Sequence, residues 1–198
     1  MIGNVRVRVF GLLCVVALVS VLAVVVAGHA QKGRSVKTDA KKASAALEAG
    51  LQAQTQGKLD VAAARYHEVL KFDPKNKYAI YDLALIDAAQ RNFGLAEDKY
   101  RQVLAIDGTY EPALFNLAIT EKSKGNDQAA IDLYERAIAA APKDPAAHMN
   151  LGLLLRSTGK VSAGDAEVKK AISLNPNLVD PAPPATTKSS IASPTVTP

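Results

Sequence analysis

A 34-residue period runs through this chain and constrains its fold more than any other feature. Pro142 stands one period before Pro176 and two periods after Pro74. Gly50, Ala84, Ala118 and Gly152 form a second column at the same interval, and Ala62, Ala96, Ala130 and Gly164 form a third. Tyr66, Tyr100, Tyr134 and Val168 make a fourth, with Leu70, Leu104, Ile138 and Ile172 as a fifth. No gap is needed from residue 43 to residue 178, so the register cuts this stretch into blocks 43–76, 77–110, 111–144 and 145–178. Columns in step over four blocks are the mark of stacked structural repeats.

Each block carries two helical patterns broken near its middle by "QGKLD", "RNFGL", "KGNDQ" or "STGKV". Gly57, Gly125 and Gly159 suit the left-handed backbone that ends a helix. Arg91 has no such freedom, and Asn92 and Gly94 beside it are expected to supply the turn. The small column lets two helices approach closely. A tyrosine four residues beyond an alanine lies on the same helical face and fills the space beside it. The proline stops the second helix, because inside a helix it lacks an amide donor and clashes with the preceding turn, at about 3 kcal/mol. Asp144 is placed to cap the next helix with Pro145 in its first turn. Gly108 replaces the proline in the second block, with Thr109 as the expected cap, and Thr38 is the expected cap of the first helix. Gly164 lies inside the last helix, where it should cost about 1 kcal/mol relative to alanine. With Pro181, Pro183 and Pro184 preventing a capping helix, amides in 161–174 are expected to exchange fastest among the repeat helices.

The order and spacing of these residues resemble the tetratricopeptide repeat family, whose 34-residue unit is a helix–turn–helix. The resemblance covers residues 43–178. It implies an all-α solenoid, a right-handed superhelix in which the first helices of successive units line the concave surface.

The flanks are of different composition. Residues 1–8 form a cationic arm with Arg6 and Arg8, and residues 9–28 contain no charged side chain. A helix of that length reaches about 30 Å, the thickness of a bilayer core. It is expected to be a transmembrane helix, giving a single-pass membrane protein with the repeats weakly favoured outside the cytoplasm. The alternative is a signal peptide cleaved after Ala30, which would release a secreted carrier or chaperone. Cys14, the single cysteine, lies within this run and has no intrachain partner. Residues 29–42 form a basic tether and the start of the first helix, and residues 179–198, rich in Pro, Ser, Thr and Ala, have the composition of a disordered tail.

The formal net charge of +5 is not spread along the chain. Across positions 1–42, Arg6, Arg8, Lys32, Arg34, Lys37, Lys41 and Lys42 face only Asp39, whereas 16 bases meet 17 acids in 43–178. A nearly neutral body has no basic stripe for phosphates, so nucleic acid is not an expected partner. Nor do the residues assemble a catalytic or metal site. His29, His67 and His148 are not at ligand spacing, and His67-Glu68 has no second histidine one helical turn on. His67 is expected to be solvated and His148 to pack. No glycine-rich phosphate loop is present, so no enzyme activity, cofactor or metal is expected.

A second apolar stripe runs along the first helix of every block. In the second block Ile80, Leu83, Ala84 and Asp87 share the side expected to meet the partner helix, while Tyr81 and Leu85 lie about 100° further round. The equivalent pairs are Leu47 and Leu51, Phe115 and Ile119, and Met149 and Leu153. With the family's geometry these pairs imply an apolar groove, extended by Tyr78, margined by Lys122 and Arg156, with Asn116 and Asn150 able to hold peptide amides. The competing arrangement buries the pairs between adjacent first helices. The groove reading makes the chain an interaction scaffold for an amphipathic helix, an extended apolar segment or a second copy of itself. Leu47 and Leu51 stand where the family's carboxylate-holding members need polar residues, which speaks against a carboxylate clamp.

Overall fold

The computed structural model describes residues 39–181. Among these residues there are eight helices and no strand. They are α1 (39–55), α2 (Leu59–Phe72), α3 (Lys77–Ala89), α4 (Phe93–Ile106), α5 (Glu111–Ser123), α6 (Asp127–Ala140), α7 (Pro145–Ser157) and α8 (Val161–Leu174). Each block of the 34-residue register thus yields one helical hairpin. The cationic arm, the 9–28 segment, the Thr38 cap and the tail from 182 onward lie outside the described residues.

The expected single-pass membrane topology is corrected. No helix among the described residues is long and apolar enough to cross a membrane. Helices α2 to α8 have 13 or 14 residues, about 20 Å of rise against the roughly 30 Å required.

The turn inside each hairpin is the same motif four times. Helix α5 closes with the Asn126 amide donating to the Glu121 carbonyl (2.9 Å) and the Gly125 amide to the Lys122 carbonyl (3.0 Å). That six-to-one and five-to-two pairing requires a left-handed residue. It recurs with Lys58 to Ala53, Asn92 to Asp87 and Lys160 to Leu155. Glycine supplies the positive φ at 57, 125 and 159, and in the second hairpin Arg91 itself adopts φ 65°. The expectation that Asn92 and Gly94 would provide this turn therefore fails, since Asn92 sits at φ −82°.

Between hairpins the stop is also constant. Asp73, Asp107, Ala141 and Asn175 each leave the helix near φ −135° and donate their amide four residues back. Gly108 does not alter this geometry, because the Asp107 carboxylate accepts from the Thr109 amide (3.1 Å) and hydroxyl (3.0 Å). Thr109 is consequently bound into the turn, and Tyr110 occupies the N-cap of α5 without a side-chain cap. Asp144 caps α7 as expected, accepting from the amides of Ala146 (3.0 Å) and Ala147 (3.1 Å), with Pro145 beginning the helix.

The described chain forms two compact units that divide between Asp82 and Leu83. In the first, Ala43, Ala46, Ala53, Ala62, Tyr66 and Val69 are buried. Tyr66 lies wholly inside, its hydroxyl 2.5 Å from Gln54 Oε1. In the second unit the buried set includes Ala84, Ala96, Tyr100, Leu114, Leu117, Ala118, Ala130, Tyr134, Leu151, Leu154, Val168 and Ala171. The small and tyrosine columns are thus the core.

Candidate partner-binding face

On the first helices, the residues that point into the core and those that do not follow the 3.6-residue geometry. Leu83, Ala84, Leu114, Leu117, Ala118, Leu151 and Leu154 are buried, and Asp87, on the same side as Leu83 and Ala84, binds Lys99 of α4 at 2.6 Å. The expected groove residues stand apart from this set, for none of them is fully buried. In the first unit Leu51 and Tyr78 are exposed, while Leu47 and Tyr81 are half-buried. In the second unit Ile119 and Lys122 are exposed; Leu85, Phe115, Asn116, Met149, Asn150, Leu153 and Arg156 are half-buried. Ile119 keeps 42% of its surface in contact with solvent. Phe115 is held by an edge-on contact with the buried Tyr134 ring, at 5.8 Å between centroids.

The polar residues of this face are more committed than their sequence positions imply. Asn116 Nδ2 donates to the Pro112 carbonyl at 2.8 Å and Asn150 Nδ2 to that of Ala146 at 2.9 Å, each one turn back on its own helix. Arg156 is engaged by Asp165 and Asp180, at 2.6 to 2.8 Å, and those carboxylates hold its guanidinium more firmly protonated. Its side chain is tied into the end of the fourth hairpin, away from a margin role.

The buried polar residues of the second unit include Glu121, which the sequence did not mark, and His148. Glu121, 3% exposed, accepts from Arg101 Nη2 at 2.6 Å and Asn126 Nδ2 at 2.7 Å. Arg101 and Lys124 also grip Glu97, whose carboxyl their hydrogen bonds hold below its ordinary range. His148 is placed in the core as expected, with Nδ1 2.6 Å from Glu167 and Nε2 3.1 Å from the Pro142 carbonyl. The register held a signal for Glu121, which falls one period after the inward-facing Asp87. Tyr134 has a buried hydroxyl without a hydrogen-bond partner, and burial pushes it up to about 12.

Other titratable groups are similarly shaped by burial. Asp82 is pushed up to about 6 by desolvation, against a hydrogen bond from Tyr66 that lowers it. Burial, with the nearby Asp144 carboxylate and a hydrogen bond to it, raises Glu111. His67 is exposed, and among the described residues no cluster of three or more His, Cys, Asp or Glu is arranged to hold a metal ion.

Tetratricopeptide repeat models match residues 43–111, 87–154 and 145–178, and the chain belongs to the tetratricopeptide repeat family. Solved structures with the same fold include a MamA protein, 27% identical, with TM-score 0.62 over 69% of this chain and 75% of that one. The pilF protein of Pseudomonas aeruginosa is 22% identical, with TM-score 0.63 over 71% of this chain and 64% of that one. An O-GlcNAc transferase mutant from Thermobaculum terrenum is 23% identical, with TM-score 0.61 over 68% of this chain but only 26% of the transferase. No curated protein sequence gives a significant match.

Proposed function

We propose that this chain is a non-enzymatic interaction scaffold whose first helices present apolar side chains to an amphipathic helix or an extended apolar segment of a partner protein. The supporting observation is the incomplete burial of Phe115, Ile119, Met149 and Leu153 at matching positions of α5 and α7. A closed core would cover such side chains, and rows left uncovered are the usual signature of a docking surface. Lys122 lies exposed one turn beyond Ile119, so an acidic residue beside the partner's apolar anchors is favoured. In the first unit, Leu51 and Tyr78 are exposed as well.

Binding on this reading comes from apolar burial at about 25 cal/mol per Å², reduced by the cost of association. The test uses the full chain against arrayed peptides graded in apolar content. Amphipathic peptides should be selected, and Ile119→Asp combined with Leu153→Asp should weaken their capture at least about tenfold, equivalent to about 1.4 kcal/mol, with helicity unchanged. Selection of peptides indifferent to both changes would remove the reading. Ile119 is the better probe than Phe115, whose ring also supports Tyr134.

A further inference from the structure

We infer that residues 175–181 repeat the turn that opens the earlier blocks and fold back as a strap that closes the end of the fourth hairpin. The turn after α8 follows the earlier ones bond for bond. The Asn175 amide donates to the Ala171 carbonyl at 2.9 Å, as Ala141 does to Ala137 at 2.8 Å. The Leu178 amide donates to the Asn175 carbonyl at 3.0 Å, matching Asp144 to Ala141 at 3.0 Å and Tyr110 to Asp107 at 3.1 Å. After Asp144 the chain enters α7, whereas after Leu178 it reaches Val179, Asp180 and Pro181 without forming a helix.

At this point one side chain takes up the contact with the fourth hairpin. Asp180 stands one period after Ala146, in the register of a first helical turn. Its carboxylate reaches back to α7 and takes Arg156 in two parallel hydrogen bonds, Nη1 to Oδ1 at 2.7 Å and Nη2 to Oδ2 at 2.8 Å. The same guanidinium binds Asp165 of α8 through Nε at 2.6 Å. Arg156 therefore joins α7, α8 and the strap, with its side chain 12% exposed and that of Asp180 17% exposed. A planar fork matched to a carboxylate is the strong, orientation-fixing form of an ion pair.

Where α6 carries the buried Ile131 and Leu133, α8 carries Asp165 and Glu167, bound by Arg156 and His148. The earlier blocks have no counterpart of the strap, since the 156 and 180 columns hold Lys122 with Ala146, Ala88 with Pro112, and Gln54 with Tyr78. A repeat array needs a polar terminal cap. The strap supplies polar side chains of that kind at the end of the fourth hairpin, and it engages Arg156 of the proposed partner-binding face.

Hydrogen exchange on the full-length chain tests the strap. Asp180→Asn keeps the shape and removes the charge, and Asp180→Ala removes both. In each variant amides of 161–174 should exchange about tenfold faster than in the parent, as expected for loss of one charge-assisted pair, with 127–140 changing less. Arg156→Lys keeps the charge without the fork and should fall between the Asp180 variants and the parent. Exchange of 161–174 within about twofold of the parent in both Asp180 variants would overturn the strap, as would an equal acceleration in 127–140.

Discussion

The third and fourth hairpins share a backbone plan and reach it with different side chains. In the third, Ala118, Ala130 and Tyr134 are all wholly buried, and the carboxylate that needs neutralising, Glu121, sits on the first helix. In the fourth, Gly152 faces Gly164 beside the smaller Val168, and the carboxylates sit on the second helix at 165 and 167. A Cβ added to Gly164 would lie 2.6 Å from the Gly152 carbonyl oxygen, and one added to Gly152 would lie 2.7 Å from Val168 Cγ2. The two helices of this hairpin approach so closely that a Cβ at either position would meet backbone atoms, and glycine permits that approach. Glycine at 164 therefore carries a helix-propensity cost for a packing reason. The comparison teaches that the repeat fixes crossing and turn, while the placement of polar groups stays free provided each charge finds a partner.

The largest expected effect breaks this comparison at the crossing. Gly164→Ala, which copies the third hairpin into the fourth, should destabilise the chain by about 3 kcal/mol because the new methyl meets backbone atoms that cannot move aside. A urea midpoint within about 0.5 kcal/mol of the parent would show that the hairpins are interchangeable there. Next is the buried carboxylate. Glu121→Ala should cost about 2 kcal/mol, an estimate lowered because Arg101 and Lys124 are half exposed and regain water. Glu121→Leu, which imports Leu155 of the fourth hairpin, should cost less than Glu121→Ala by the same measurement. Equal losses would mean that cavity and charge cannot be separated at this site.

A third test carries the asparagine of the third and fourth blocks back to the second. Asp82, Asn116 and Asn150 share one column, and Asp82 alone titrates, at about 6 against an ordinary 3.8. Its native value is raised, so between about pH 4 and pH 6 the folded chain binds more protons than the unfolded one, and stability falls as pH rises through that window. Asp82→Asn should flatten that slope and raise stability near pH 7 by on the order of 1 kcal/mol, discounted for partial exposure. Urea titrations at pH 4.5 and 7 would read it, and an unchanged slope would sink it. The smallest effect concerns the turn. Arg91→Gly gives the left-handed position the residue found in the other three hairpins and should stabilise by up to about 1 kcal/mol. Destabilisation would show that the Arg91 side chain has a role of its own.

The hairpins were legible in the sequence because each is specified locally: small residues at the crossing, a tyrosine to fill it, a left-handed turn and a helix stop. Where the residue changed but the backbone did not, reading became harder. Arg91 takes a conformation its type disfavours, and Asp107 with Thr109 holds a stop where proline was expected. The apolar face was half legible. Ile119 and Leu51 stand exposed as the helical angle implied, whereas Arg156 is taken by Asp180 from beyond the last block, where no period announces it. Glu121 resembled an ordinary surface acid because pairing with Arg101 is a long-range event twenty residues apart. The membrane expectation rested on composition in residues 9–28 and has no support in helices of this length.

The tyrosine column has an optical consequence. The chain contains no tryptophan, so tyrosine emission is not drained by energy transfer. Tyr66, Tyr100 and Tyr134 are wholly enclosed, one in each of the first three blocks, and the fourth has Val168 in that place. Replacing Tyr78, Tyr81, Tyr110 and two of these three by phenylalanine leaves a lamp in a single hairpin. Loss of order could then be timed hairpin by hairpin.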